Sequence, residues 1–279
     1  MAIVALTVAV ALTILVVAVK LTLDRPTPLI GTPAVPGDQC TAVAGNYTGS
    51  MDAEQAGNAA IIAGESIRRG LPPRAATIAL VAAWQESGLR NLDHGDRDSV
   101  GLFQQRPSQG WGSVEQIMDP WYAAGKFYDA LVKVKGWQAI SVNDAAQAVQ
   151  RSGYPNAYGQ HESAGRAWAS NLTGETQAGV RCLANKGVGG GGDELVALLT
   201  KVWGKRLTIS TDGKTIAISA SSSVTAWAVA QLSMAQLAAH GVTSVQVGAK
   251  SWTHSHNGLA AWRDAPTPVK AAQVVVTLR

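Results

Sequence analysis

The sequence predicts an α+β protein with three parts: an N-terminal transmembrane helix, a mostly helical domain and a small α+β domain. Three observations predict it. Residues 3–19 contain only apolar residues and threonine, and a run of about 20 such residues is long enough to cross a bilayer. Residues 51–172 are alanine-rich, carry helix caps and terminators, and hold no segment that alternates convincingly with period two. Beyond Arg206 the pattern changes to alternation on either side of Asp212-Gly213, the mark of a β-hairpin.

Taken in order, residues 1–23 read as an uncleaved membrane anchor. A cleaved signal peptide is the alternative, although its apolar region usually runs roughly 7–15 residues behind a positive charge, and no Lys or Arg precedes Lys20. Residues 24–39 carry four prolines and form an extended spacer. The mostly helical domain spans 40–185. A helix over 51–70 ends in Gly70, a second covers 75–89 with Gly88 near its end, and Asp119-Pro120 starts a third. Asn143 or Asp144 caps the next, and 162–172 supplies the last. Four consecutive glycines close a linker at 186–192.

In the final domain, 193–279, Leu207/Ile209 and Ile216/Ile218 flank the hairpin turn. Val224, Ala228, Leu232, Ala235 and Ala239 follow at helical spacing, and Gly241 ends that helix. Residues 242–248 and 272–278 read as two further strands. One or two helices against a four-stranded sheet fit the pattern.

The chain is 47% hydrophobic and 15% charged, which supports a buried core and excludes wholesale disorder. Its net charge of +4 suits an anionic surface such as a bacterial cell wall without requiring one. No Lys/Arg run interleaved with aromatics is present, so nucleic acid is not an expected partner. The two cysteines, Cys40 and Cys182, stand just outside both ends of one compact segment of the helical domain. Paired in an oxidising compartment, they close a loop of about 140 residues, a stabilisation of about 4–5 kcal/mol in the chain-entropy model. Two unrelated thiols are the alternative.

The chemistry centres on Glu86, in the run Ala82-Ala83-Trp84-Gln85-Glu86-Ser87-Gly88. A helix that needed only to stop would be served by Gly88. A carboxyl at the negative end of an apolar helix is in a setting that favours the neutral acid. Cleavage of a glycosidic bond needs such a group to protonate the leaving oxygen. A surface glutamate on an amphipathic helix is the plainer reading, and its company weighs against it. Downstream stands "SVGLFQQRPSQGWG". Glu-Ser followed by Gly-Leu-Phe-Gln resembles the Glu-Ser and Gly-Leu-Met-Gln motifs of the lysozyme-like superfamily of lytic transglycosylases and goose-type lysozymes. Actinobacterial membrane-anchored proteins of this kind are the most similar in style. The resemblance covers roughly residues 51–172.

The resemblance implies a lysozyme-like fold for 40–185 and cleavage of the β-1,4 bond between N-acetylmuramic acid and N-acetylglucosamine in peptidoglycan, without metal or organic cofactor. Glu86 is then the general acid and Ser87 its neighbour in the cleft. Gly101 permits close backbone approach, and Gln104 binds sugar or orders the acid. Gln105 and Trp111 join the substrate-binding set, Trp111 because Gly110 and Gly112 leave it exposed. The family's third motif, Ala-Tyr-Asn, is not present as such. In its place stand Gln150, Tyr154 and Tyr158 as candidates to line the cleft. Asp96, within "DHGDRDS", is the best counterpart of the aspartate that positions water in goose-type lysozymes. A second carboxylate about 6.5–9.5 Å from the acid permits inverting hydrolysis. Without one, the sugar's own C6 hydroxyl attacks and leaves a 1,6-anhydro end.

His254 and His256 alternate on one face of a strand in "WTHSHNGLAAWRD", with no third ligand at a recognisable spacing, so no metal site is expected. The final domain is a candidate platform for an envelope protein partner. Two other readings of the helical domain stay open: a non-catalytic peptidoglycan-binding module that anchors an envelope assembly, and a hydrolytic lysozyme. All three readings put the bulk of the chain outside the cytoplasm, attached to the membrane through residues 1–23 or secreted if these are removed.

Overall fold

The computed structural model describes residues 37–183 and 191–279. The anchor and nearly all of the proline-rich spacer and glycine linker lie outside these. No helix among the described residues is long and apolar enough to cross a membrane.

Helix α1 (Ala53–Arg68) is set by a capping box, in which Asp52 accepts from the Gln55 backbone and the Gln55 side chain answers the Asp52 N–H. Helix α2 (Pro73–Ser87) starts with proline in its first turn and is buried without interruption from Ala75 to Ala83. Such a helix belongs at the centre of a bundle. Around it pack α1, α4 (Pro120–Leu131), α5 (Val142–Gln150) and α6 (Glu162–Leu172). A single turn, α3 (Val114–Ile117), precedes α4. The expected Asp119 cap holds, its carboxylate accepting from the Trp121 N–H. The cap of α5 is Ser141 rather than Asn143 or Asp144. Inside the bundle the Glu65 carboxylate is 2% exposed. It accepts from Arg68 and Arg69, and Arg69 also reaches Asp129 on α4.

The expectation of a nearly all-helical domain needs correction. Strands β1 (Gln39–Ala44), β2 (Tyr47–Met51) and β3 (Val180–Leu183) form an antiparallel sheet in the order β2-β1-β3, packed on α6. Cys40, Ala42 and Ala44 do alternate inward along β1. Alanine and cysteine carry so little hydrophobic contrast that the period is faint in sequence. Cys40 and Cys182 stand opposite each other in the β1–β3 register and form a disulfide.

The last segment begins with α7 (Gly192–Trp203). A six-stranded antiparallel sheet follows, where four strands were expected. Its order is β4 (Leu207–Asp212), β5 (Thr215–Ala220), β9 (Gln273–Leu278), β6 (Val242–Val247), β7 (Lys250–Thr253), β8 (Arg263–Asp264). The β4–β5 hairpin turns on Gly213-Lys214, with Asp212 and Thr215 as the last pair. The long helix expected over 224–240 is broken at Gln236 into α8 (Ser223–Ala235) and α9 (Leu237–His240).

Helix α8 is buried on every side from Ala226 to Ala235, because it packs on β6 and β9 and also on α6 and α1. The segments before and after the glycine linker therefore share one core, within the compact unit Pro36–Arg279. Gln231 fastens them. Its Oε1 accepts from the Gly179 and Val180 N–H groups at 3.0 and 3.1 Å. Its Nε2 donates to the Asn171 and Thr176 carbonyls at 2.8 and 2.7 Å. Gln231→Leu removes this partner from the Gly179 and Val180 N–H groups and the Thr176 carbonyl, while the Asn171 carbonyl still accepts from the Gly174 N–H. Each buried orphan costs about 1–3 kcal/mol, so with partial relaxation the variant is expected to lose about 3–4 kcal/mol, read from its urea midpoint. "WTHSHNGLAAWRD" belongs to the same seam. The Trp252 indole donates to the Ala260 carbonyl, and that of Trp262 donates to the Val180 carbonyl at 2.9 Å while its ring packs on Trp227.

Candidate active site

Glu86 is the penultimate residue of α2. Gly88 ends the helix at φ +63°, ψ +33°, a left-handed cap that L side chains adopt only with strain. The Gln55 side chain donates to the Gly88 carbonyl and the Asn58 side chain to the Leu89 carbonyl, at 2.7 and 2.8 Å. The helix end that carries the acid is thus clamped to α1.

Glu86 faces an open cleft of about 430 Å³. One wall is formed by 96–111, the other by Gln150, Arg151, Ser152, Gly153 and Tyr154. Of the residues singled out in sequence, Glu86, Asp96, Gln104, Gln105, Trp111, Gln150 and Tyr154 line it together. Gln104 occupies the left-handed region at φ +47° and closes a short turn in which Val100 and Gln105 pair. Gly101 opens that turn at φ +80°, and a Cβ there would lie 2.8 Å from the Ile117 carbonyl oxygen. Glycine is what the close approach requires. The Gln104 amide donates weakly to the His94 and Gly101 carbonyls at 3.2 and 3.3 Å. Gln105 is buried and donates to the Ala123 carbonyl, and Gln150 donates to the Phe103 carbonyl at 2.9 Å, tying one wall to the other. Tyr154 stands 77% exposed at the rim.

Ser87 and Tyr158 are not on the cleft wall. The Ser87 hydroxyl donates to the Leu102 carbonyl at 2.7 Å, pinning the glutamine turn to the end of α2. Its role is to hold the two motifs in register. Tyr158 is fully buried, and its hydroxyl donates to the Glu86 carboxylate at 2.5 Å. Burial, followed by the adjacent Glu86, pushes the phenol well above its ordinary range, so it acts as a proton-bearing donor throughout the physiological range. It belongs to Ala157-Tyr158-Gly159, a short 3-10 turn (Tyr158–His161) ahead of α6.

The aspartates of "DHGDRDS" divide by environment. Asp98 accepts from Arg106 Nε at 2.8 Å, and from the Ser108 backbone and hydroxyl at 2.8 and 3.0 Å. The Arg106 guanidinium and then these Ser108 donors hold its carboxyl well below the usual carboxylate range. Asp98 is thereby committed to shaping the loop. Asp96 is 89% exposed, and the guanidinium of Arg97 lies 3.9 Å away. Three useful residues escaped sequence reasoning. The Gln85 side chain, beside the acid, accepts from Gln160 and pairs with His161. Arg106 orders the loop through Asp98, and Arg151 lines the cleft. None has a local sequence signal, since each is defined by partners on another element. Among the described residues no cluster of three or more potential metal ligands occurs.

No protein-family model matches the chain, and none of the curated proteins matches it in sequence.

Proposed function

We propose that this protein is a peptidoglycan-cleaving glycosidase of the lytic transglycosylase type, acting on the β-1,4 bond between N-acetylmuramic acid and N-acetylglucosamine. The observation that carries the reading is Glu86 in an open cleft, oriented by the Tyr158 hydroxyl and sharing that cleft with Gln104. A non-catalytic wall-binding module has no need of an oriented carboxyl at the floor of a groove. In the proposed reaction Glu86 protonates the leaving oxygen. As carboxylate it then takes the proton from the C6 hydroxyl of the same sugar, which attacks the anomeric carbon and closes a 1,6-anhydro ring. The proton given to the leaving oxygen is replaced by the one taken from the C6 hydroxyl, so the acid is regenerated.

Intramolecular attack is favoured over hydrolysis by the state of the aspartates. Inverting hydrolysis needs a second carboxylate that fixes a water. Asp98 is occupied by Arg106 and Ser108, and Asp96 is open to solvent on the rim. The test is digestion of purified peptidoglycan followed by mass spectrometry of the fragments. Anhydro-muramic ends are expected. Reducing ends would replace the transglycosylase with a lysozyme, and release of no fragment would return the domain to a binding role.

Tyr158→Phe tests the orientation of the acid. A hydrogen bond to a charged group contributes about 1.5–3 kcal/mol, so kcat is expected to fall about 10–100-fold with little change in KM. Muropeptide release at saturating substrate measures it. The reading also assigns an extracytoplasmic location, which agrees with the disulfide.

A further inference from the structure

The cleft holds a guanidinium that no other side chain among the described residues engages. Its charged lining residues are Glu86, Asp96, Arg106 and Arg151. Arg106 is taken up by Asp98 and Ser108. Arg151 is exposed, and its side chain makes no hydrogen bond or ion pair with the described residues. Only its backbone N–H is used, donating to the Gln147 carbonyl at 2.8 Å to end α5.

That position is an unfavourable one for arginine. Arg151 caps α5 at φ +52°, ψ +40°, the left-handed region where glycine is the usual occupant and any L side chain is strained. The plainer account is attraction between a cation and the negative helix end. Any position in the last turn supplies that attraction without left-handed strain. The segment around it is also fixed. Gln150 donates to the Phe103 carbonyl, and Gln147 donates to the Ser152 carbonyl at 2.9 Å. The backbone that carries the cation is therefore fixed on the cleft wall, which Arg151 lines with Gln150 and Tyr154.

We infer that Arg151 is a specificity-determining residue that pairs with a carboxylate on the muramyl side chain of the substrate, so that the cleft selects acidic glycan strands over uncharged N-acetylglucosamine polymers. The inference rests on the reading of the cleft as a glycan site. Two sources present the same chemistry: the carboxylates of the stem peptide, and the lactyl carboxylate freed when that peptide is removed.

Binding separates this from catalysis. The full chain carrying Glu86→Gln is sedimented with intact peptidoglycan, with glycan strands stripped of peptide by an amidase, and with chitin. In that background Arg151→Ala is expected to bind acidic glycan about 5–10-fold more weakly, with a flatter salt dependence and no change on chitin. Arg151→Lys is expected to recover part of the loss. A loss confined to intact material assigns the stem peptide, and one confined to stripped strands assigns the lactyl group. Equal losses on all three polymers, or none on any, overturn the inference. Arg151→Gly adds a stability readout: removal of the strain should hold or raise the melting temperature, and a clear fall would mark Arg151 as structural and overturn it. Because turnover is absent from these measurements, failure of the unsubstituted chain to release fragments counts against the cleavage reading alone.

Discussion

Glu86→Gln is expected to lower the rate of peptidoglycan cleavage by three to four orders of magnitude while leaving the fold and glycan binding intact. General acid–base catalysis typically contributes 10²–10⁴-fold. Here one group serves both halves of the reaction, so the upper part of that range applies. Glutamine is isosteric, and its amide oxygen can still accept the Tyr158 hydroxyl that now lies 2.5 Å from the carboxylate. The helix end remains clamped through Gln55 and Asn58. Loss of activity in this variant therefore reports on the proton rather than on the structure. The measurement is clearing of peptidoglycan in a renaturing gel, with thermal unfolding as the control. A Glu86→Gln protein that clears at the parental rate ends the proposed mechanism. Asp96→Asn refines the result: with intramolecular attack it changes little, and with hydrolysis it removes the base.

The residues of the candidate site were easier to single out in the sequence than the fold that surrounds them, and the reasons are physical. Glu86 and Gln104 are announced by short motifs because a helix stop and a tight turn each require glycine, at Gly88 and Gly101. Helices were legible where a capping side chain or an apolar period marks them, as at Asp119-Pro120. The β2-β1-β3 sheet was hidden for the opposite reason: its inward residues on β1 are alanine and cysteine, and β3 pairs with β1 from far along the chain. Helix α7 left a signal that went unread, with Leu195, Leu199 and Val202 buried along one side. Strands β7 and β8 are short and take their meaning from β6. The glycine linker suggested two separate domains, yet Gln231 reaches Asn171 and Gly179 across the seam. A glutamine inside an apolar helix reads locally as a polar surface position. Only its four tertiary partners reveal a buried clasp.

Replacing both cysteines with serine, or reducing the disulfide, is expected to lower the unfolding free energy by about 3–5 kcal/mol. The bridge spans 142 residues, and closing a loop of that length removes about 5 kcal/mol of entropy from the unfolded chain, with measured effects commonly somewhat smaller. The loss acts at a sensitive place. Cys182 lies on β3, the strand that pairs with β1. Nearby, the Val180 N–H donates to Gln231 and its carbonyl accepts from Trp262, both of the C-terminal segment. Without the bridge, β3 is held by short-strand pairing and by those two contacts, so the seam should become the first part of the molecule to open. Urea titration of the double-serine chain against the oxidised parent gives the magnitude, and a larger m-value is expected from the expanded unfolded state. Hydrogen exchange then locates the effect: amides of β1 and β3 should lose protection before those of α2. An unchanged midpoint would mean that the noncovalent seam alone fixes the two ends of the helical domain. Protection lost uniformly would mean that the helical bundle and C-terminal sheet unfold as one cooperative unit even without the bridge.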